Sequence, residues 1–224
     1  MPKATVGSDR RFLLGGVSWQ TYEALLAGVG DRPSVRLTYD GKDLELMSPG
    51  GRHDRYKYRF GRLIAVLTEE LDIQIDGCGS TTLRRGDVNK GLEPDEAFYI
   101  RNEARVRGKL DLDLDVDPPP DLAIEIDITS SSVDREGIYA ALGVPELWRF
   151  DGESLRVLHL RPDGVYVIGK SSLNFPFLPM AAFEEFLNPL PTEGLTSWSK
   201  RFRAWVREQV LPLYLADRPG DGGA

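Results

Sequence analysis

Apolar and polar side chains alternate most sharply in DLAIEIDITSS, residues 121–131. Leu122, Ile124, Ile126 and Ile128 fall on one face, and Glu125 and Asp127 on the other. A period of two predicts a strand. The aliphatic face, with Pro118-Pro119-Pro120 stiffening the approach, predicts a central one. Other patterns surround it. GVSWQTYEALLAG predicts a helix capped by Ser18, with Trp19, Tyr22, Leu25, Leu26 and Val29 at helical spacing. SVRLTYD and KDLELMS predict two strands joined by a hairpin turn at Asp40-Gly41. Residues 52–72 predict a second helix with an apolar stripe of Tyr56, Phe60, Leu63, Leu67 and Leu71. IQIDGCGSTTLRR and GLEPDEAFYI predict strands on either side of a polar loop.

Downstream, the aspartates 111, 113, 115 and 117 alternate with Leu112, Leu114 and Val116, as in an exposed edge strand that discourages pairing. Their spacing lacks the central Gly and closing Glu of an EF-hand loop. Ser130 to Ser132 offer caps for a short helix with Asp134 and Glu136 in its first turn and Gly143 as its stop. ELWRFD, SLRVLHL and VYVIGK predict a three-strand meander with turns at Asp151-Gly152 and Asp163-Gly164. A last helix spans 196–212, with Trp198, Phe202, Trp205 and Val206 inward and Lys200, Arg201, Arg203 and Arg207 as a basic cluster. The element order predicts one α+β domain over 17–212, an N-terminal extension over 1–16 and a disordered tail over 217–224.

Composition narrows the chemistry. The chain has 224 residues, 41% hydrophobic, enough for a real core. A single cysteine, Cys78, excludes an internal disulfide, and without a Cys/His cluster a zinc site has no ligand set; a reducing cytoplasm is the expected setting. No run reaches the roughly 18 apolar residues of a membrane span. The net charge of −7 means that any nucleic-acid contact must rest on a local basic patch. Arg52, Arg55, Arg59 and Arg62 share one face of the second helix and supply a candidate. A solvated charged face would read the same way.

Glu125 and Asp127 project from the same face, and something must offset their repulsion: water, arginines, shared protons or a metal cation. A third acid, Asp95, opens the strand of GLEPDEAFYI. Three oxygen-bearing groups on two strands suit a hard cation such as Mg²⁺ or Mn²⁺.

Pro94-Asp95, Glu125-Ile126-Asp127 and the run SSSVDREGIYAALGVPELWRFD together resemble the Uma-two family of nucleases, common in cyanobacteria. That family falls in the restriction-endonuclease-like, PD-(D/E)XK superfamily. The likeness runs from about Trp19 to Arg207 and includes LELMSPGGRHD and NFPFLP. It implies a restriction-endonuclease-like mixed sheet flanked by helices, with an additional antiparallel meander and the metal bound where strands diverge. Asp95 matches the PD aspartate, Glu125 the acid of (D/E)XK, and the carbonyl of Ile126 the backbone ligand. Glu45 and His53 lie where a further acid or polar group can enter the site. A histidine at a helix start also serves as a cap, His159 reads as structural, and Tyr139 and Trp148 read as core.

The chain departs from the superfamily at the third element, where Asp127 replaces lysine. The cationic role shifts to the following helix, near Asp134 and Arg135, where many members resemble one another in having lysine. Arginine stays protonated, so it cannot act as a base but can hold a phosphate. Arg135 could equally pair with Asp127 or Asp134. The resemblance implies a Mg²⁺- or Mn²⁺-dependent endonuclease cutting DNA, for which a homodimer would suit double-strand cleavage. In that reading Asp95 and Glu125 bind the ion, Asp127 assists, Arg135 stabilises developing charge and the helix arginines position the backbone. The alternative is a catalytically impaired nuclease-fold module that binds nucleic acid or a protein.

Overall fold

The computed structural model describes residues 9–30, 35–188 and 192–217. The strands are β1 (Arg10–Leu14), β2 (Arg36–Tyr39), β3 (Leu44–Ser48), β4 (Asp76–Gly77), β5 (Leu83–Arg85) and β6 (Lys90–Leu92). They continue with β7 (Glu96–Tyr99), β8 (Leu122–Ile126), β9 (Glu146–Phe150), β10 (Leu155–Leu160) and β11 (Tyr166–Ile168). The helices are α1 (Trp19–Val29), α2 (Gly51–Leu71), α3 (Glu103–Val106), α4 (Arg135–Leu142), α5 (Met180–Glu184), α6 (Leu195–Trp205) and α7 (Leu211–Asp217), with a π-helical turn over Val206–Val210. The fold is α+β, built on two sheets.

One sheet is antiparallel, ordered β1-β3-β2-β6-β5; the other is mixed, ordered β11-β10-β9-β8-β7-β4. The expected antiparallel meander β9–β11 forms half of the mixed sheet, joined to it by the parallel pairing of β9 with β8. β8 is central and buried on both faces. Leu122, Ile124 and Ile126 meet α2 and the π-helical turn in the largest core, together with Tyr56, Phe60 and Trp198. Ala123 on the opposite face meets Ile138, Tyr139 and Leu142 of α4, which fills the space up to Leu83 and Leu92 of the antiparallel sheet. α1 covers the far side of that sheet through Tyr22, Leu37, Tyr39 and Leu44.

Residues 10–14, within the expected N-terminal extension, form β1, which pairs with β3 throughout, from Arg10↔Ser48 to Leu14↔Leu44. Two expectations change. The aspartate run forms turns in place of an edge strand. Asp113 takes the backbone N–H groups of Asp115, through its side chain, and of Val116 and Asp117, through its carbonyl, so local bonds outcompete a ladder. Asp117 is buried and ion-paired with Lys109. The cap of α4 is Asp134, which accepts from the Gly137 amide at 3.0 Å, and not one of the serines. Gly143 ends the helix at φ 81°, as a C-terminal glycine should. The expected tail from 218 onward lies outside the described residues.

Candidate functional site: an arginine-lined acid cavity between the sheets

Strand alternation builds the site. On β2, Leu37 and Tyr39 face α1, so Arg36 and Thr38 face the opposite way, toward the mixed sheet. On β3 the same rule turns Glu45 and Met47 inward. The chain crosses from one sheet to the other between β6 and β7, at Glu93-Pro94-Asp95. Proline suits that crossing, since it has no N–H to leave unpaired. Because β7 and β8 are antiparallel, with Glu96 opposite Ile124, the start of β7 lies beside the end of β8. Asp95 and Glu125 thus arrive at one place, at the end of the β7–β8 pairing.

Asp95, Glu125, Ile126, His53 and Arg135 all border one cavity of about 10 Å³, closed from the other sheet by Arg11, Arg36 and Met47. Asp95 is 1% exposed. Its Oδ2 accepts the Ile126 amide at 2.7 Å. Its Oδ1 is ion-paired with the Arg36 guanidinium and lies 2.6 Å from His53 Nε2. His53 Nδ1 is buried without a hydrogen-bond partner, 3.6 Å from Asp9 Oδ2. Burial would raise the Asp9 carboxyl, but His53 and hydrogen bonds from the Gly50 amide and Thr129 prevail and hold it down at about 2.

Glu125 is buried too. Its Oε1 accepts from Arg135 at 2.5 Å and from the Tyr139 hydroxyl. Arg135 also donates to Thr38 Oγ1 at 2.6 Å and to the Glu93 carbonyl at 3.0 Å, so one side chain ties α4 to β2 and to the crossing segment. Burial works to lower the Arg135 pKa; Glu125 outweighs it, and the net shift is upward. The Tyr139 hydroxyl is held far above its ordinary range by burial and then by Glu125. Tyr139, expected as core, is therefore also a ligand of the acid.

Two other expected acids stand aside. Asp127 Oδ2 takes the Arg149 guanidinium at 2.7 Å; Arg149 also reaches Glu136. Glu45 accepts from Arg11 at 2.6 Å, from the Ser131 hydroxyl at 3.0 Å and from the Ser132 amide at 2.7 Å. Neither borders the cavity. Each carboxylate of the group thus has its own guanidinium: Asp95 with Arg36, Glu125 with Arg135, Asp127 with Arg149, Glu45 with Arg11.

That pairing bears on a metal. Asp95, Glu125 and the Ile126 carbonyl have the oxygen chemistry that a hard cation takes. The room and the charge are wrong for it. A cavity of about 10 Å³ is roughly one water probe sphere, and three guanidinium groups face it. Among the described residues, no group of three or more His, Cys, Asp or Glu side chains could hold an ion. As arranged, the residues do not fit a divalent ion.

On α2, Arg55 is exposed. Arg52 donates to the Gly152 carbonyl at 3.5 Å, Arg59 lies 4.9 Å over the Trp198 ring, and Arg62 donates to Ser199 at 3.2 Å. Of the α6 cluster, Arg201 and Arg203 are paired with Glu193, Glu69 and Glu70. The expected arginine stripe is therefore partly structural.

A family model described as "Uma2: Putative restriction endonuclease" matches residues 19–184, most of the chain. The chain belongs to the Uma2 family. A solved structure entitled as that of "a putative nuclease belonging to DUF820" from Anabaena variabilis ATCC 29413 is similar at a TM-score of 0.44 and 13% identity, over 85% of this chain and 99% of that one. No curated protein matches the sequence. In this Uma2 chain the residues that spacing did not single out are Arg11, Arg36, Thr38 and Tyr139. Arg36 and Thr38 were visible as the polar face of β2, but what that face meets is set by the second sheet. Among the described residues, no helix is long and apolar enough to cross a membrane.

Proposed function

We propose that this chain is a restriction-endonuclease-like phosphodiester hydrolase directed at DNA, with the Asp95–Glu125 cavity as its reaction centre. One observation carries the reading. Two acids, one leading into β7 and one on β8, the peptide between Glu125 and Ile126, and a guanidinium from the following helix meet at the end of the β7–β8 pairing. Family membership supports it.

Within that reading, Arg135 is a charge partner and not a base, since guanidinium stays protonated. Its anchors on Thr38 and Glu93 fix its direction, so it keeps a positive charge in a fixed place beside Glu125. His53 and the Ile126 amide position Asp95. Exposed basic side chains near the start of α2 and on α6, Arg55 and Lys200 among them, would contact the DNA backbone. Divalent cations supply Lewis acidity in such nucleases when bound. The present arrangement does not fit one.

A second reading is favoured by the one-to-one acid–guanidinium pairing: a nuclease-fold module that binds nucleic acid without turning it over. Cleavage assays on single- and double-stranded DNA and RNA, with Mg²⁺ and with Mn²⁺, separate the two. Asp95→Asn and Glu125→Gln keep shape and remove charge. Cleavage lost in both variants supports the reaction centre; cleavage unchanged in both removes it. Binding without cleavage in the parent protein selects the module.

A further inference from the structure

We infer that Arg36 is the resident cation of this cavity: its guanidinium neutralises Asp95 on the side that an ion would take, so that the Arg36–Asp95 contact and divalent-ion binding exclude one another. The location rests on the reading of Asp95 and Glu125 as a reaction centre. The inference itself concerns ion occupancy, which can be measured whether or not the chain cleaves anything.

The three guanidinium groups at the cavity differ in what they are tied to. Arg11 serves Glu45 and reaches Thr129. Arg135 has three fixed partners, Glu125, Thr38 and the Glu93 carbonyl. Neither has reason to leave. Arg36 has Asp95 and a 3.3 Å approach to His53 Nε2, and no other hydrogen bond or ion pair among the described residues. It is nonetheless buried, at 6% exposure. Its backbone is held in place, because Leu37 and Tyr39, which follow it on β2, are buried under α1 and β2 is paired to β3 from Arg36↔Met47 onward. The side chain therefore stays at the cavity and its permanent charge stays with it. An ion beside Asp95 would meet that charge at contact distance in a poorly solvated space, where like charges repel far more strongly than in water. Arg36 also lines the small cavity itself.

The test is a Mn²⁺ titration of the full chain, followed by electron paramagnetic resonance and calorimetry. The variants are Arg36→Met, Arg36→Lys and the double variant Arg36→Met with Asp95→Asn. Arg36→Met should bind one Mn²⁺ at least about tenfold more tightly than the parent, because one opposing charge is gone. Arg36→Lys should remain close to the parent. The double variant should lose the gain. If Arg36→Met does not fold, judged by circular dichroism, Arg36→Gln makes the same comparison. The inference is overturned if the parent binds one Mn²⁺ as tightly as Arg36→Met, or if folded Arg36→Met gains nothing. It is overturned too if the gain persists in the double variant. Any of these results leaves the cleavage assay to be read separately.

Discussion

Replacing Arg135 with methionine keeps the stem and removes the fork. Three contacts go at once: Glu125 at 2.5 Å, Thr38 at 2.6 Å and the Glu93 carbonyl at 3.0 Å. What remains is a carboxylate 4% exposed, with Tyr139 as its remaining partner. Stranding one member of a buried pair costs about 3–5 kcal/mol. Set against a typical domain stability of about 5–15 kcal/mol, that is a large fraction, yet compatible with a folded protein. Glu125→Leu alone strands the guanidinium and should cost about the same. The double variant removes both charges together. It leaves Thr38, Tyr139 and the Glu93 carbonyl short of a partner, for roughly 1–3 kcal/mol each, and each of these losses already occurs in one of the single variants. Urea unfolding with a common slope reads all three differences. The double variant should therefore cost clearly less than the two single costs added together. If the two single costs simply add in the double variant, within about 0.5 kcal/mol, the charges are not coupled and the account of the cavity is wrong.

Other consequences can be checked at separate places. Arg55→Ala and Lys200→Ala remove side chains that have no carboxylate partner among the described residues, so the unfolding midpoint should not move. Each should weaken binding to duplex DNA and lower the salt slope by about 0.9, and an unchanged slope for both would mark these charges as merely solvated. Acid stability should depend on Asp9, whose carboxyl is held near 2 in the folded state against an ordinary value of 3.8. A depressed folded pKa contributes stability that is complete above pH 4 and is lost as pH falls through 2. Asp9→Asn should therefore be less stable than the parent at pH 6, with the gap closing by pH 2; a constant gap would rule out the linkage.

Periodicity alone determined much of this protein. The two-residue alternation around Glu125 located the central strand, the 3.6-residue stripe from Tyr56 to Leu71 located α2, and Asp-Gly pairs located three turns. These features depend on neighbours along the chain, so they are readable from it. The pairing of acids was legible in the same way: alternation put Glu125 and Asp127 on one face, and the structure keeps them there. What each acid meets was not legible. Asp127 goes to Arg149 because β9 runs alongside β8 in parallel, and Asp95 goes to Arg36 because a second sheet turns its polar face toward the first. Arg36 and Asp95 are separated by β3, α2 and β4 to β6, and no local pattern links them. Charge partners across sheets are chosen by how layers stack, and only the packed core fixes that. Sequence decided where the carboxylates stand; tertiary structure decided that guanidinium groups answer them.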